Sequence, residues 1–344
     1  MEHPLRQRVI IGFLVIFLML TLVGRHDAEG AETPEEFYRG KTLIWVYAGD
    51  VGSPGDLMIR TIAPFLTKEI GAKVKIEDRK TDEGINYIYH KGTRDGLTLG
   101  TKTTDAMIGN EILKAPGVQY ETDKFNFIAD ISPAGKVFQL SPKSPYRTLD
   151  ALRKAKGLKA GGTSAKGSLA MSSAVMFEVL GLDGKVITGF KGKKDLVLSL
   201  ARGEVDCLVS GDDSALKDEQ DGYVVPFMTT GNKRSALLPH VPALPEFGVK
   251  VAKEMEAAFK FVTFAGMAVA MPPGVAPERV EYLRKVFQHL NNDKELQRAL
   301  EKLTGARKPF ATGRELQEDM AGIKADKELA MKIDAVFKKY TAVR

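Results

Sequence analysis

From Lys41 onward, short apolar runs of strand length alternate with stretches whose apolar residues recur at helical spacing. Strands separated by helices pack as parallel, doubly wound sheets, so this alternation limits the chain to the α/β class. The first run, Leu43–Tyr47 (LIWVY), is continuously apolar, as a strand is when both sheet faces are covered. After the loop Ala48–Gly55, Asp56 is placed to cap a helix whose inner face carries Met58, Ile62, Phe65, Leu66 and Ile70. Pro64 should kink that helix and Gly71 end it. Lys73–Glu77 and Leu97–Thr101 read as the next strands, with a helix over Gly84–Lys91 between them.

The same pattern returns further on. Phe127–Ile131 and Val137–Leu140 read as strands, and Thr148 as the N-cap of the helix TLDALRKAK. Strand Lys159–Gly162 leads through Thr163–Gly167 to a helix capped by Ser168 and carrying Leu169, Met176, Phe177 and Leu180. Strands Lys185–Ile187 and Val205–Val209 flank a helix over Asp195–Arg202. From Pro277 the pattern is mostly helical: Pro277–Asn291, Asp293–Thr304, and Gly313 to about Tyr340. There is no fixed-period repeat.

A chain of 344 residues has room for two domains of about 150 residues each. Two α/β units in one chain favour two lobes with a ligand between them. Ligands in open α/β sheets bind outside the carboxyl ends of strands, where loops lead into helix N-termini. Those loops are Ala48–Gly55, Lys80–Gly84, Thr101–Asp105, Gly162–Gly167, Gly189–Lys194 and Ser210–Ser214.

Composition removes several function classes. The single cysteine, Cys207, excludes a disulfide framework and a Cys-based metal site, and its apolar strand setting reads as buried, not reactive. His90, His240 and His289 are far apart in sequence, which argues against a His-rich metal site. No metal and no cofactor is expected. The formal charge of +6 is spread without a block of five basic residues, so nucleic acid is not an expected partner. A mild positive potential still gathers small anions.

Residues 1–30 read as a signal peptide. Arg6 and Arg8 precede the apolar run Val9–Val23, which is short of the about 20 residues of a comfortable bilayer span. Ala28-Glu29-Gly30 places small residues for cleavage after Gly30; an uncleaved N-terminal anchor is the competing reading. A lipoprotein would need a cysteine at the cleavage point. The mature chain is expected to be exported to the periplasm.

Among the loops, Gly161-Gly162-Thr163-Ser164-Ala165-Lys166-Gly167-Ser168 is the most suggestive. It lacks the order of a P-loop and of a nucleophile elbow. A nucleophilic Ser164 would need a His and a carboxylate beside it. The better reading is a small-residue loop that holds an anion with backbone N–H and hydroxyl groups at a helix N-terminus. Asp50, Asp82, Glu83, Asp212 and Asp213 also sit in the loops. They read as acid/base pairs, as oxygen ligands for a divalent cation, or as solvated caps.

With the loops in view, the mature chain resembles the Bug family, the extracytoplasmic solute-binding subunits of tripartite tricarboxylate transporters, from about Tyr38 to Met320. Glu77-Asp78-Arg79 resembles the family's E-N-R, and Asp95–Thr101 its D-G-Y-T-L-L-x-G-T region, one residue shorter. Phe190-Lys191-Gly192 resembles Y-K-G, and Arg202–Asp206 the G-G-x-V-D string. Thr229–Pro242 is similar to T-G-x-K-R-S-x-x-L-P-D-V-P almost residue for residue, and Pro272–Pro277 matches the P-x-G-x-P turn. Any one string is weak; six in order are strong.

The resemblance implies a two-lobed periplasmic-binding-protein fold, type II-like, closing on a small ligand in the interdomain cleft and catalysing no reaction. It implies a first lobe of residues 31–133 plus 231–344 and a second of 134–230, with crossings near Pro133–Val137 and Phe227–Thr230. Two loops would hold a ligand carboxylate: Gly49–Asp56, and the second-lobe loop matched by Gly162, Thr163, Gly167 and Ser168. The expected binding set adds residues of the neighbouring loops. It comprises Gly49, Asp50, Gly52, Ser53 and Asp56; Asp82, Gly84 and Thr103; Gly162, Thr163, Ser164, Lys166, Gly167 and Ser168; and Lys191 and Asp212.

Departures from the family strings place Asp50 and Asp82 in a cleft that receives a carboxylate, where like charges repel. The expectation is a ligand with a cationic or multi-hydroxyl end facing Asp50 or Asp82 and any carboxylate facing Lys166, as an amino acid would have. The expected partners are a small organic acid or amino acid and the membrane permease subunits, with the protein a monomer. A ligand sensor docking on a receptor, and a secreted hydrolase using Ser164 or a carboxylate pair, are the alternatives.

Overall fold

The computed structural model describes residues 32–341 apart from positions 50, 113, 133–134, 164–166, 264–265, 306–307 and 326–327, and apart from the side chains of Pro54 and Thr81. The expected signal peptide lies outside the described residues. No described helix is long and apolar enough to cross a membrane.

Two sheets organise the chain. The first has the order β11-β4-β10-β3-β1-β2, built from β1 (Thr42–Ala48), β2 (Lys73–Arg79), β3 (Thr98–Thr103), β4 (Asn126–Asp130), β10 (Met267–Met271) and β11 (Ala311–Thr312). The second has the order β7-β6-β8-β5-β9, from β5 (Lys136–Leu140), β6 (Leu158–Gly161), β7 (Gly184–Ile187), β8 (Cys207–Gly211) and β9 (Val225–Thr229). In the first, β1 pairs in parallel with both β2 and β3; in the second, β6 pairs in parallel with β7 and β8. These strands alternate with helices Pro54–Ile70, Thr81–Lys91, Ser168–Leu180 and Lys193–Arg202.

The sheets are mixed, which corrects the expectation of wholly parallel ones. β10 runs antiparallel to β3 and β4, and β5 antiparallel to β8 and β9. The reason is the route of the chain. It leaves the first sheet after β4, enters the second as β5, exits from β9 beside β5, and re-enters the first sheet as β10 at the same end it left, Met267 opposite Thr103 and Ala268 opposite Asp130, so β10 must run back along its neighbours. The crossings run side by side: the Thr230 N–H and hydroxyl both donate to the Lys136 carbonyl, at 2.8 and 3.1 Å.

Two caps also differ from expectation. Ser53, not Asp56, is the N-cap of Pro54–Ile70, its Oγ accepting from the Asp56 N–H at 3.4 Å. Gly167, not Ser168, is the N-cap of Ser168–Leu180, so Ser168 opens the helix with its hydroxyl free for other use. The helix Pro54–Ile70 runs through Pro64 and ends at Gly71, whose φ of 66° suits glycine. The expected long C-terminal helix is two, Gly313–Ala325 and Leu329–Thr341.

The first sheet's core centres on buried Trp45, whose indole N–H donates to Thr101 Oγ1 at 2.8 Å and whose ring meets Phe287 edge-on. A second buried cluster runs from Val46, Ile88 and Phe127 through Ala258 and Phe261 to Phe138, Ala160 and Phe177, joining the two sheets. The final helix packs on Ser168–Leu180, which belongs to the second sheet's layer.

Candidate functional site

The parallel strands of each sheet end on one edge, and from that edge loops lead into helix N-termini. In the first loop Gly52 takes φ 79°, a left-handed conformation that favours glycine. Its N–H donates to Asp56 Oδ2 at 2.8 Å. Burial alone would raise the Asp56 carboxyl, but hydrogen bonds from Arg60 and from the Gly52 N–H hold it below the usual carboxylate range. Tyr47 Oη and Ser53 Oγ are 2.7 Å apart, fixing the loop to β1. Asp56 thus shapes this loop from beneath.

Gly84 joins the second loop to the first: a Cβ there would come 2.7 Å from the Ala48 Cβ. Asp82 accepts from Asn110 Nδ2 at 2.8 Å, tying the second loop to helix Thr104–Ile112. Thr103 is exposed at the end of β3. On the second sheet, a Cβ on Gly162 would come 2.6 Å from the Ala170 Cβ, so the end of β6 lies tightly against the helix that follows. Thr163 is half-buried beside it, and Gly167 and Ser168 form the helix entrance.

The two sets of loops meet. Ser168 Oγ, from the second sheet's side, donates to Asp105 Oδ2 at the start of helix Thr104–Ile112 on the first sheet's side. Lys136 Nζ, on β5, donates to the same Asp105 oxygen at 3.1 Å, to Ser168 Oγ at 2.8 Å and to Ser172 Oγ at 2.9 Å. Only 3% of Lys136 is exposed, so its charge depends on these partners. Burial would raise the Asp105 carboxyl, but the Lys136 charge, Ser168 and the Ala106 N–H hold it low. Asp105 is therefore held as a carboxylate within the junction.

Of the expected binding residues, Gly49, Gly52, Ser53, Asp56, Asp82 and Gly84 form one connected group, and Gly162, Thr163, Gly167 and Ser168 another. Asp50, Ser164 and Lys166 lie outside the described residues. Lys191 is exposed, its N–H donating to Asp195 Oδ2 at 3.3 Å. Asp212 opens the helix that follows β8, its N–H donating to the Gly135 carbonyl; it accepts from Lys308 Nζ at 2.6 Å and Ser235 Oγ at 2.7 Å beside the crossings. There it lines a cavity of about 310 Å³ with Gly135, Thr229, Lys233, Ser235 and Lys308. Asp105, Lys136 and Ser172 were missed by sequence reasoning. The signal for Lys136 was a lone cation directly before the strand Val137–Leu140.

A family model described as the tripartite tricarboxylate transporter family receptor, TctC, matches residues 58–303. The chain belongs to this receptor family. Its members are solute-binding receptors, which agrees with the Bug resemblance read from the sequence. No curated protein sequence matches the chain. Among solved structures, a TctC solute-binding protein from Polaromonas without ligand is 17% identical, with TM-score 0.70, covering 88% of this chain and 99% of that one. A Rhodopseudomonas palustris protein with adipate is 19% identical (TM-score 0.66; coverage 86% and 97%). MatC from the same organism with bound malate is 18% identical (TM-score 0.61; coverage 86% and 99%). At these identities the likeness concerns the fold: this receptor has the α/β architecture of the periplasmic solute-binding proteins.

Proposed function

We propose that this receptor captures a small organic acid, a carboxylate or an amino acid, between two closing lobes and presents it to a tripartite transporter in the membrane. The supporting observation is the meeting of strand-end loops from both sheets at Asp105, Ser168 and Lys136. A ligand lying among these loops touches both lobes and favours the closed form, a population shift. The lobes are residues 31–133 plus 231–344 and residues 134–230, the final helix reaching across to pack on the second. The work is binding in the periplasm, with no bond made or broken. Relatives of this fold with adipate and malate support an acid as the ligand class.

A thermal-unfolding screen of residues 31–344 against dicarboxylates, tricarboxylates, amino acids and aromatic acids tests the proposal. A ligand at about 1,000 times its dissociation constant stabilises by about 4 kcal/mol, a shift of several degrees. The expected outcome is a shift with one acid class and recovery of that acid unchanged. Turnover of the stabilising compound would overturn it.

A further inference from the structure

The junction between the sheets has the make-up of a carboxylate receptor. A buried ammonium, Lys136 Nζ, and a hydroxyl, Ser168 Oγ, both donate to one carboxylate oxygen from the first sheet's side, Asp105 Oδ2, while Ser172 Oγ accepts from Lys136 Nζ at 2.9 Å and donates to the Val262 carbonyl at 3.2 Å, holding the ammonium in place. Ser168 is the first residue of a helix whose N-cap, Gly167, contributes no side-chain hydrogen bond. The first N–H groups of that helix add to the positive field. The carboxylate comes from the opposite set of loops, so no covalent geometry of the second sheet's side dictates its position there.

We propose that Lys136 and Ser168, with Ser172 positioning the Lys136 ammonium, form a carboxylate-binding subsite, filled by the chain's own Asp105, and that an acid group of an incoming ligand competes with Asp105 for it. Asp105 is then a specificity-determining residue. A ligand with one acid group seats it elsewhere among the loops and leaves the Asp105–Lys136 pair intact. A dicarboxylate that needs this subsite for its second acid group must displace a paired, buried carboxylate, and is disfavoured. This rests on the reading that ligands enter between the lobes, although the subsite itself can be tested without any natural ligand.

The experiment uses the full mature chain and formate as probe, because formate is a carboxylate small enough for the space that Asp105 vacates. Asp105→Ala and Asp105→Ser remove the resident carboxylate; serine suits a first helical turn and guards against a variant that fails to fold. Thermal unfolding is followed with rising potassium formate against potassium chloride at matched ionic strength. The expected result is a lowered midpoint that formate, and not chloride, restores by several degrees, with no formate-specific recovery once Lys136→Met is added. Equal effects of the two salts, or recovery that survives the loss of Lys136, would overturn the subsite. In a second arm, isothermal titration with adipate should show affinity at least about tenfold higher in Asp105→Ser than in the unaltered chain. Unchanged adipate affinity alongside formate rescue would overturn the specificity role and leave the subsite standing. A failure of every acid to bind the unaltered chain would count against the proposed function, not against formate rescue.

Discussion

Asp130 stands where β4 gives way to the first crossing, and its Oδ1 accepts from the Ser132 N–H at 3.0 Å and the Met267 N–H at 2.8 Å. Burial dominates these bonds and the Lys308 charge, and pushes the carboxyl up to about 6. A carboxyl raised on folding holds a proton that the unfolded chain has released, so its stabilisation is complete below about pH 4 and is lost as pH rises through about 6. Two pH units correspond to about 3 kcal/mol. Asp130→Asn, neutral at every pH, should remove this dependence. Chemical denaturation from pH 4 to 7 is expected to show the unaltered chain losing stability relative to the variant across that window. A constant difference would mean that Asp130 does not titrate there. At this scale the sequence was informative about loops and poor about pairs. The glycines at 49, 52 and 84 stood out because a turn or a close approach needs them. Lys136 did not stand out, because its role depends on Asp105, Ser168 and Ser172, which only tertiary folding brings within reach.

Among the elements, the strands and helices around β1–β3 and β6–β8 were legible because each carries its own punctuation. Thr148 caps as expected, its Oγ1 accepting from the Ala151 N–H at 3.2 Å. β10 was not legible: MAVAM is a short apolar run, and nothing local says that it enters the middle of a sheet antiparallel to both neighbours. Nor was the break between Gly313–Ala325 and Leu329–Thr341, since no Gly or Pro marks it. The separation makes sense only in packing, where the first helix lies on β4 and the second on Ser168–Leu180. That last contact rests on Tyr340, whose ring meets Phe177 edge-on at 5.6 Å and whose hydroxyl donates to Glu178 Oε2 at 2.8 Å. Tyr340→Ala should cost about 3 kcal/mol of unfolding free energy, and Tyr340→Phe, which keeps the ring, about 1 kcal/mol. Urea denaturation measures both. Equal small losses would show that the final helix is docked by its polar contacts alone.

For the molecule as a whole, two buried ion pairs are prominent among the polar contacts between the proposed lobes. One is Asp105 with Lys136 and Ser168 at the strand ends; the other is Lys308 with Asp212 beside the crossings. The two-lobed α/β architecture was legible from the alternation of runs, and the family from its ordered strings. The pairing of Lys308 with Asp212 was not, because 96 residues separate them. Both side chains of that pair are largely buried, at 14% and 6% exposure, so removing one partner leaves an uncompensated charge. Breaking such a pair costs about 3 kcal/mol or more. Because the pair sits beside the crossings, part of that loss should appear as looser lobes and not only as easier global unfolding. Lys308→Met retains the aliphatic stem while removing the charge. Small-angle scattering of the unliganded variant should then give a larger radius of gyration than the unaltered chain. Apparent ligand affinity is divided by any fall in the closure-competent fraction. The dissociation constant of the acid found in the screen should therefore rise several-fold. Unchanged scattering and unchanged affinity in a folded Lys308→Met would confine the pair to anchoring its own loop.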